Sequence, residues 1–168
     1  MSPARALATV GGVGLLRPAP GTWGSVAALP LAWAVHALGG FPALAAATVA
    51  VTLAGWWAVT VAAREAGAEG DPDRSEFVID EVAGQWLALW PVSLGAWARE
   101  VDLLALWPGL VAGFVLFRLF DVWKPGPVGR ADRMRTPWGV MLDDLLAGVF
   151  AALGVAVLAV LAHGVLGW

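Results

Sequence analysis

Two pairs of adjacent acids, Asp80-Glu81 and Asp143-Asp144, stand out in this chain. Each pair is preceded directly by three apolar residues and followed by a long apolar run. One acid at a helix start is explained by capping. It satisfies free N–H groups and meets the positive end of the helix dipole, worth about 0.5–2 kcal/mol. A second adjacent acid is not explained in that way. With Asp121 the chain offers five carboxylates in such settings. It has no Cys, and its two His residues, His36 and His163, sit inside apolar runs and read as packing or interfacial residues. All-oxygen ligation of this kind suits Mg²⁺ or Mn²⁺. From spacing alone, scattered caps and ion pairs compete with a metal site.

Cations accompany the acids. Five of the ten Lys/Arg residues and four of the thirteen acids fall between Arg118 and Asp144. Arg118 and Asp121 are spaced to share one helix face and could simply pair. Lys124, the only Lys, precedes Pro125 and is expected to leave the helix extended. These basic residues read either as an anchor for anionic headgroups or, mixed with carboxylates, as phosphate-binding groups. The stretch Pro20-Gly21-Thr22-Trp23-Gly24-Ser25 is expected to be a structured loop, with Ser25 capping the helix that follows. It could cradle a phosphate or be no more than a turn and a cap. It lacks the Gly-Lys-Ser/Thr of a Walker loop.

The elements that must position these residues are apolar. The 168 residues are 60% hydrophobic and 14% charged, far from the soluble average, so the chain reads as one integral membrane domain, 1–168. The N-terminal stretch is broken by Gly11, Gly12 and Gly14 and is not expected to be a signal peptide. No basic face stands apart from acids, which argues against a nucleic-acid partner. Apolar segments at 26–38, 41–63, 82–97, 103–120 and 145–168 predict a compact all-α bundle of about five to six helices, some short or re-entrant. If the chain starts in the cytoplasm and crosses at each segment, nine basic residues lie inside and only Arg99 outside. The Pro-Gly stretch, the Asp80 region and the Arg118–Asp144 stretch then share one side. Trp23, Trp97, Trp107, Trp123, Trp138 and Trp168 fall near segment ends, as interfacial anchors do, and Trp123 and Trp138 could also line a lipid site. Asp80 to Gly84 and Asp144 to Gly148 share the pattern Asp-x-x-Ala-Gly. A missing side chain one turn beyond each Asp would admit a backbone or a ligand, if the echo is more than chance.

Four motifs occur in order: Ala19-Pro-Gly-Thr-Trp-Gly-Ser25, Val78-Ile-Asp-Glu-Val-Ala-Gly84, Phe117-Arg-Leu-Phe-Asp-Val-Trp-Lys-Pro125, and Asp132-Arg133 followed by Gly139-Val-Met-Leu-Asp-Asp-Leu-Leu-Ala-Gly148. Over roughly residues 11–155 the chain resembles the bacterial phosphatidylglycerophosphatase A family. Thr136-Pro137-Trp138 and Gly126 depart from the family's usual pattern. The resemblance implies a small all-helical, multi-pass protein of the bacterial inner membrane with its site facing the cytoplasm. It would be a Mg²⁺-dependent phosphoric monoester hydrolase that converts phosphatidylglycerophosphate to phosphatidylglycerol and inorganic phosphate.

Carried onto this sequence, the resemblance implies catalytic Asp80, Glu81, Asp121, Asp143 and Asp144. Asp80, Glu81, Asp143 and Asp144 would hold Mg²⁺, with Asp121 as a further ligand or a neighbour of the ligands. Thr22, Ser25, Arg118, Lys124 and Arg133 would bind the substrate phosphate. Water attack and an aspartyl-phosphate route both fit this set. A transporter or channel using the same intramembrane carboxylates is the alternative, and a non-catalytic membrane scaffold a further one. The transporter predicts charged groups along a path open to both sides, the phosphatase a one-sided cluster. Oligomeric state, the number of metals and acyl-chain preference are not readable from these residues.

Overall fold

Gly39 and Gly40 divide the longest helical stretch of the chain. Gly39 (φ −164°, ψ 23°) and Gly40 (φ 65°, ψ −155°) leave helical geometry inside Pro20–Glu65, and the second of these conformations is one that side-chain-bearing residues rarely adopt. Contacts on either side show that the chain reverses there. Along the first limb, Ala28 O accepts from the Trp86 indole at 2.9 Å and His36 Nδ1 lies 2.7 Å from Ser93 Oγ. Along the second limb the order runs backwards: Thr48 accepts from the Trp90 indole at 3.2 Å, Gly55 faces Ile79 and Met141, and Ala58, Val59 and Ala62 pack with Phe77. The segments expected at 26–38 and 41–63 are thus the antiparallel arms of one helical hairpin.

The computed structural model describes residues 1–67 and 71–166, apart from the side chains of 163, 165 and 166. Trp168 and the His163 side chain lie outside the described residues. Among those described there are seven α-helices and no strands: α1 (Pro3–Ala8), α2 (Pro20–Glu65, the hairpin), α3 (Ile79–Ala88), α4 (Trp90–Ala98), α5 (Trp107–Trp123), α6 (Pro127–Asp132) and α7 (Pro137–Leu166). Short 3₁₀ turns occupy Val13–Leu15 and Leu103–Leu106. The all-α bundle is as expected, with one or two more short helices than the apolar segments suggest. The segment expected at 82–97 is two helices, because the chain turns at Leu89 and restarts with Pro91 in the first turn of α4.

By length and composition, three helical stretches are apolar enough to cross a membrane: Pro20–Glu65, Leu103–Trp123 and Pro137–Ala162. The packing has the matching character. Alanines make up much of the interior, including Ala8, Ala28, Ala32, Ala58, Ala83, Ala88, Ala147 and Ala151, beside Leu44, Leu89, Leu103, Phe117 and Met141, while Leu38, Val122 and Val160 are 72–89% exposed. Small residues at helix contacts and many large apolar groups facing outward fit a protein whose solvent is lipid. Trp23, Trp97, Trp107, Trp123 and Trp138 are all exposed near helix ends, as interfacial anchors would be.

The helices run so that three chain-distant regions meet at one end. The first arm of α2 leads away from that end beside α3 and α4, and its second arm returns. α5 comes back with Gly113 against Leu89 and Phe117 against Gly84, and α7 leads away again to Val155, which clusters with Val92, Ala96 and Leu103. The start of α2, the start of α3, the end of α5, α6 and the early turns of α7 therefore share one end. The Gly39-Gly40 reversal and the 97–103 turn share the other.

Candidate active site

Two helices approach closely directly behind the acids. A side chain at Gly84 would meet the Asp144 carbonyl oxygen at 2.5 Å, and one at Gly148 would strike the Gly84 carbonyl oxygen. The two Asp-x-x-Ala-Gly segments are thus in contact, each glycine serving as the seat for the other helix's backbone. The approach that the missing side chains admit is that of a backbone. This crossing brings the second turn of α3 against the Asp144–Gly148 stretch of α7.

Glu81, Asp121 and Asp144, from α3, α5 and α7, are all buried and each offers a carboxylate oxygen within 4.8 Å of the others. Arg118, one turn before Asp121, ties the set together. Its Nη1 lies 2.5 Å from Glu81 Oε2, 2.8 Å from Asp121 Oδ2 and 3.3 Å from Ser25 Oγ. Nε and Nη2 have no partner among the described residues. Ser25 Oγ lies 2.7 Å from Glu81 Oε2 and 3.1 Å from the Gly21 carbonyl. A second group sits beside the first. Lys124 Nζ bonds Asp132 and, at 3.1 Å, Asp143 Oδ2, while Asp143 Oδ1 is buried with no hydrogen-bond partner.

Asp80 accepts the Glu81 N–H at 3.0 Å. Burial, then the charges of Glu81 and Asp143, raise its pKa well above the usual carboxylate range. Burial and Asp121 also raise Glu81, against the opposing pull of Arg118 and Ser25. Burial works against the Lys124 ammonium, but the bond to Asp132 and the charge of Asp143 overcome it and hold its pKa above the ordinary value.

Several local expectations change. Pro20 starts α2 six residues earlier than a Ser25 cap would, so Pro20–Ser25 is helix rather than loop, and Ser25 lies inside it. Proline fits the first helical turn, and Gly21 and Gly24 are there for closeness: side chains at those positions would strike Glu81 and Val78. Asp143 and Asp144 are not at a helix start either, because α7 begins at Pro137. Capping cannot explain them. Val78, with no side-chain cap bond, is the N-cap of α3, so Asp80 and Glu81 are first-turn residues. Lys124 is not extended; it closes α5 in the left-handed conformation (φ 51°, ψ 54°) with its N–H on Phe120 O. A proline disfavours the right-handed helical region just before it, and the left-handed cap is the other way to end the helix.

Of the residues expected at the site, Asp80, Glu81, Asp121, Asp143, Asp144, Ser25, Arg118 and Lys124 share one end and are connected as described. Thr22 is half-buried and makes no side-chain hydrogen bond among the described residues. Arg133 is exposed at the end of α6 and makes no ion pair among them. Two residues carry more than their sequence context suggested. Asp132 is a partner of Lys124. Gln85, one helical turn beyond Glu81, is fully buried with neither amide atom bonded. An amide in an apolar run four residues after a buried acid was the available signal.

The donor set fits a hard divalent cation. It is all oxygen, comes from three helices, and has beside it the buried Asp143 Oδ1, which has no hydrogen-bond partner. Arg118 and Lys124 contact these acids and are groups of the kind that donate to phosphoryl oxygens.

The family described as phosphatidylglycerophosphatase A matches residues 6–159. A phosphatidylglycerophosphatase A from Haemophilus influenzae is 31% identical over 154 residues, covering 91% of this chain and 86% of that protein. One from Escherichia coli strain K12 is 33% identical over 159 residues, covering 90% and 80%. A Bacteroides thetaiotaomicron protein named "Putative phosphatidylinositol-3-phosphatase" is 36% identical over 144 residues, covering 83% and 82%. No solved structure matches. With almost the whole chain matched, and all four motifs drawn to one end of the bundle, the protein belongs to the phosphatidylglycerophosphatase A family of phosphoric monoester hydrolases.

Proposed function

We propose that this protein removes the terminal phosphate of phosphatidylglycerophosphate, giving phosphatidylglycerol and inorganic phosphate, with Mg²⁺ held by Glu81, Asp121 and Asp144 and with Asp80 and Asp143 beside them. The observation that carries this reading is the buried meeting of three carboxylates from three helices next to Arg118 and Lys124. The names of the Haemophilus and Escherichia relatives support the substrate. When bound, Mg²⁺ supplies Lewis-acid stabilisation of the charge on the phosphoryl group and acidifies a coordinated water.

The chain's own residues do the rest. Arg118 spends Nη1 on Glu81 and Asp121, which fixes both carboxylates and leaves Nε and Nη2 to donate to phosphate oxygens. Lys124 spends two donors on Asp132 and Asp143 and keeps a third for the substrate. Ser25 orients Glu81. Arg133 and Thr22, at the rim, meet the headgroup as it enters. The distribution of basic residues supports a cytoplasmic site in an inner membrane. It also favours hydrolysis over transport, because a transport path would need ionisable groups along the interior between the two ends. Between them the described core is Ala, Val, Leu, Phe and Trp, and its buried polar groups, Thr48 and Gln85, are not ionisable.

The test is phosphate release by the purified protein from phosphatidylglycerophosphate in vesicles. Release should stop with a chelator, return with Mg²⁺, and be absent in folded Asp144→Asn protein. Chelator-resistant release, or full activity in Asp144→Asn, rejects the site. Faster release from a phosphatidylinositol 3-phosphate than from phosphatidylglycerophosphate rejects the substrate.

A further inference from the structure

Beside the site, α5 and α7 leave an entirely apolar groove with a cavity volume of about 590 Å³. Trp123 and Pro125 stand at its upper end, flanking Lys124, and Phe120 and Phe150 meet below them with ring centroids 5.6 Å apart. Val157 and Leu158 close its far end. Gly154 forms part of the floor, where a side chain would press on Leu116 at 2.8 Å. We propose that this groove is the seat of one acyl chain of the lipid substrate. The proposal rests on the lipid phosphatase reading and deepens it.

Three features commit the groove to that occupant. It lies on two helices apolar enough to span a membrane, so its surroundings are hydrocarbon. Its run from Phe150 to Leu158 is nine residues, about 12 Å of helix, most of the roughly 15 Å depth of one leaflet. Along α7 it begins one to two turns below the carboxylates, Phe150 following Asp144 by six residues or about 9 Å, while along α5 it reaches Trp123 and Pro125 beside Lys124, so a headgroup at the carboxylates and a chain in the groove can belong to one lipid. Phe120 lines the groove while its neighbour Asp121 belongs to the carboxylate set, so headgroup and chain sites share the last turn of α5. The groove's lining is apolar, and two of its residues, Phe120 and Pro125, are the chain neighbours of Asp121 and Lys124.

The gain from such a seat is contact and orientation rather than escape from water, because the alternative environment is also hydrocarbon. A modest effect is therefore expected. The experiment uses the full chain in phosphatidylcholine vesicles and phosphatidylglycerophosphate with a diazirine in one acyl chain. Light should attach the probe to the 116–125 and 150–158 segments about fivefold more than the same label carried on phosphatidylcholine. Val157→Trp should lower the ratio of kcat/KM for dipalmitoyl over dihexanoyl substrate by about fivefold, by removing a limited number of weak chain contacts. Val160→Trp, at an exposed position outside the groove, should leave that ratio alone. Equal labelling by both lipids, an unchanged ratio in Val157→Trp, or protein–protein crosslinks through this face in place of lipid adducts would overturn the proposal. Selective labelling without phosphate release from any lipid would instead keep the groove and overturn the phosphatase reading.

Discussion

Replacing Gly148 with alanine tests whether the α3–α7 crossing sets the geometry of the site. The added carbon would collide with the Gly84 carbonyl oxygen and lie 3.1 Å from its carbon and 3.2 Å from the Gly84 Cα. These are backbone atoms and cannot rotate away. A tolerable C–H···O contact needs about 3.3–3.6 Å, so the helices must part by about 1 Å. Gly148 lies one turn beyond Asp144 and Gly84 three residues beyond Glu81, so the gap opens beneath those two carboxylates. Overpacking of this kind costs about 1–3 kcal/mol, which leaves the bundle folded. The effect on chemistry is larger. Mg²⁺ tolerates little departure from octahedral geometry, and a 1 Å misplacement can cost about 100-fold in rate. Gly148→Ala should fold, lose about 100-fold in kcat/KM, and need more Mg²⁺ for half-maximal phosphate release. Gly95→Ala is the control, since its added carbon meets only Leu106 Cδ1 at an ordinary 3.7 Å. If Gly148→Ala keeps kcat/KM within about threefold of wild type, the crossing does not position the acids and the argument fails.

Arg118→Lys keeps a charge but loses the fork that joins Glu81, Asp121 and substrate; kcat should fall at least about tenfold in the phosphate-release assay. Ser93→Ala removes the 2.7 Å contact to buried His36 at the far end and should cost about 1–3 kcal/mol of stability, read by thermal unfolding, with phosphate release unchanged. The chain has no Cys, so single cysteines report topology. Glu100→Cys should react with a membrane-impermeant maleimide on intact spheroplasts, and Arg135→Cys only after lysis; the reverse pattern would turn the site outward.

The segments at 26–38 and 41–63 and the reversal at Gly39-Gly40 were legible because two glycines and a proline interrupt an otherwise unbroken apolar run. The convergence of Asp80, Asp121 and Asp143 on one end followed from counting where Arg and Lys fall. Local backbone was less legible. Pro20 permits a helix start as readily as a loop, and only the fit of Gly21 and Gly24 under Glu81 and Val78 decides between them. Pro137 does the same for α7 and moves Asp143 and Asp144 from an expected terminus to the second turn. Two near-identical Asp-x-x-Ala-Gly strings in an Ala/Gly-rich chain carry little weight until the two glycines are found in contact. Gln85 was visible only as an interruption; its isolation depends on what α2, α5 and α7 place around it, which no local pattern encodes.

The charge balance of the site leads to a last prediction. Asp80, Glu81, Asp121, Asp132, Asp143 and Asp144 share two cations, Arg118 and Lys124. Arg118 is committed to Glu81 and Asp121, and Lys124 to Asp132 and Asp143, so Asp80 and Asp144 have no direct ion pair among the described residues. At 4.8 Å and an effective dielectric of about 20, two like charges repel by about 3 kcal/mol. Without a divalent cation the protein must bear that repulsion or take up a proton. In either case a neutral amide of the same shape at Asp144 costs the metal-free protein little. With the cation, wild type gains stability by mass action, about 2.7 kcal/mol at 100 times Kd, and Asp144→Asn should gain far less. Thermal unfolding with and without Mg²⁺ should therefore show Asp144→Asn no less stable than wild type in chelator and clearly less stabilised by Mg²⁺. An equal Mg²⁺-dependent rise in both proteins, or a metal-free Asp144→Asn several degrees less stable than wild type, would mean that Asp144 is held by partners within the chain rather than kept for an ion.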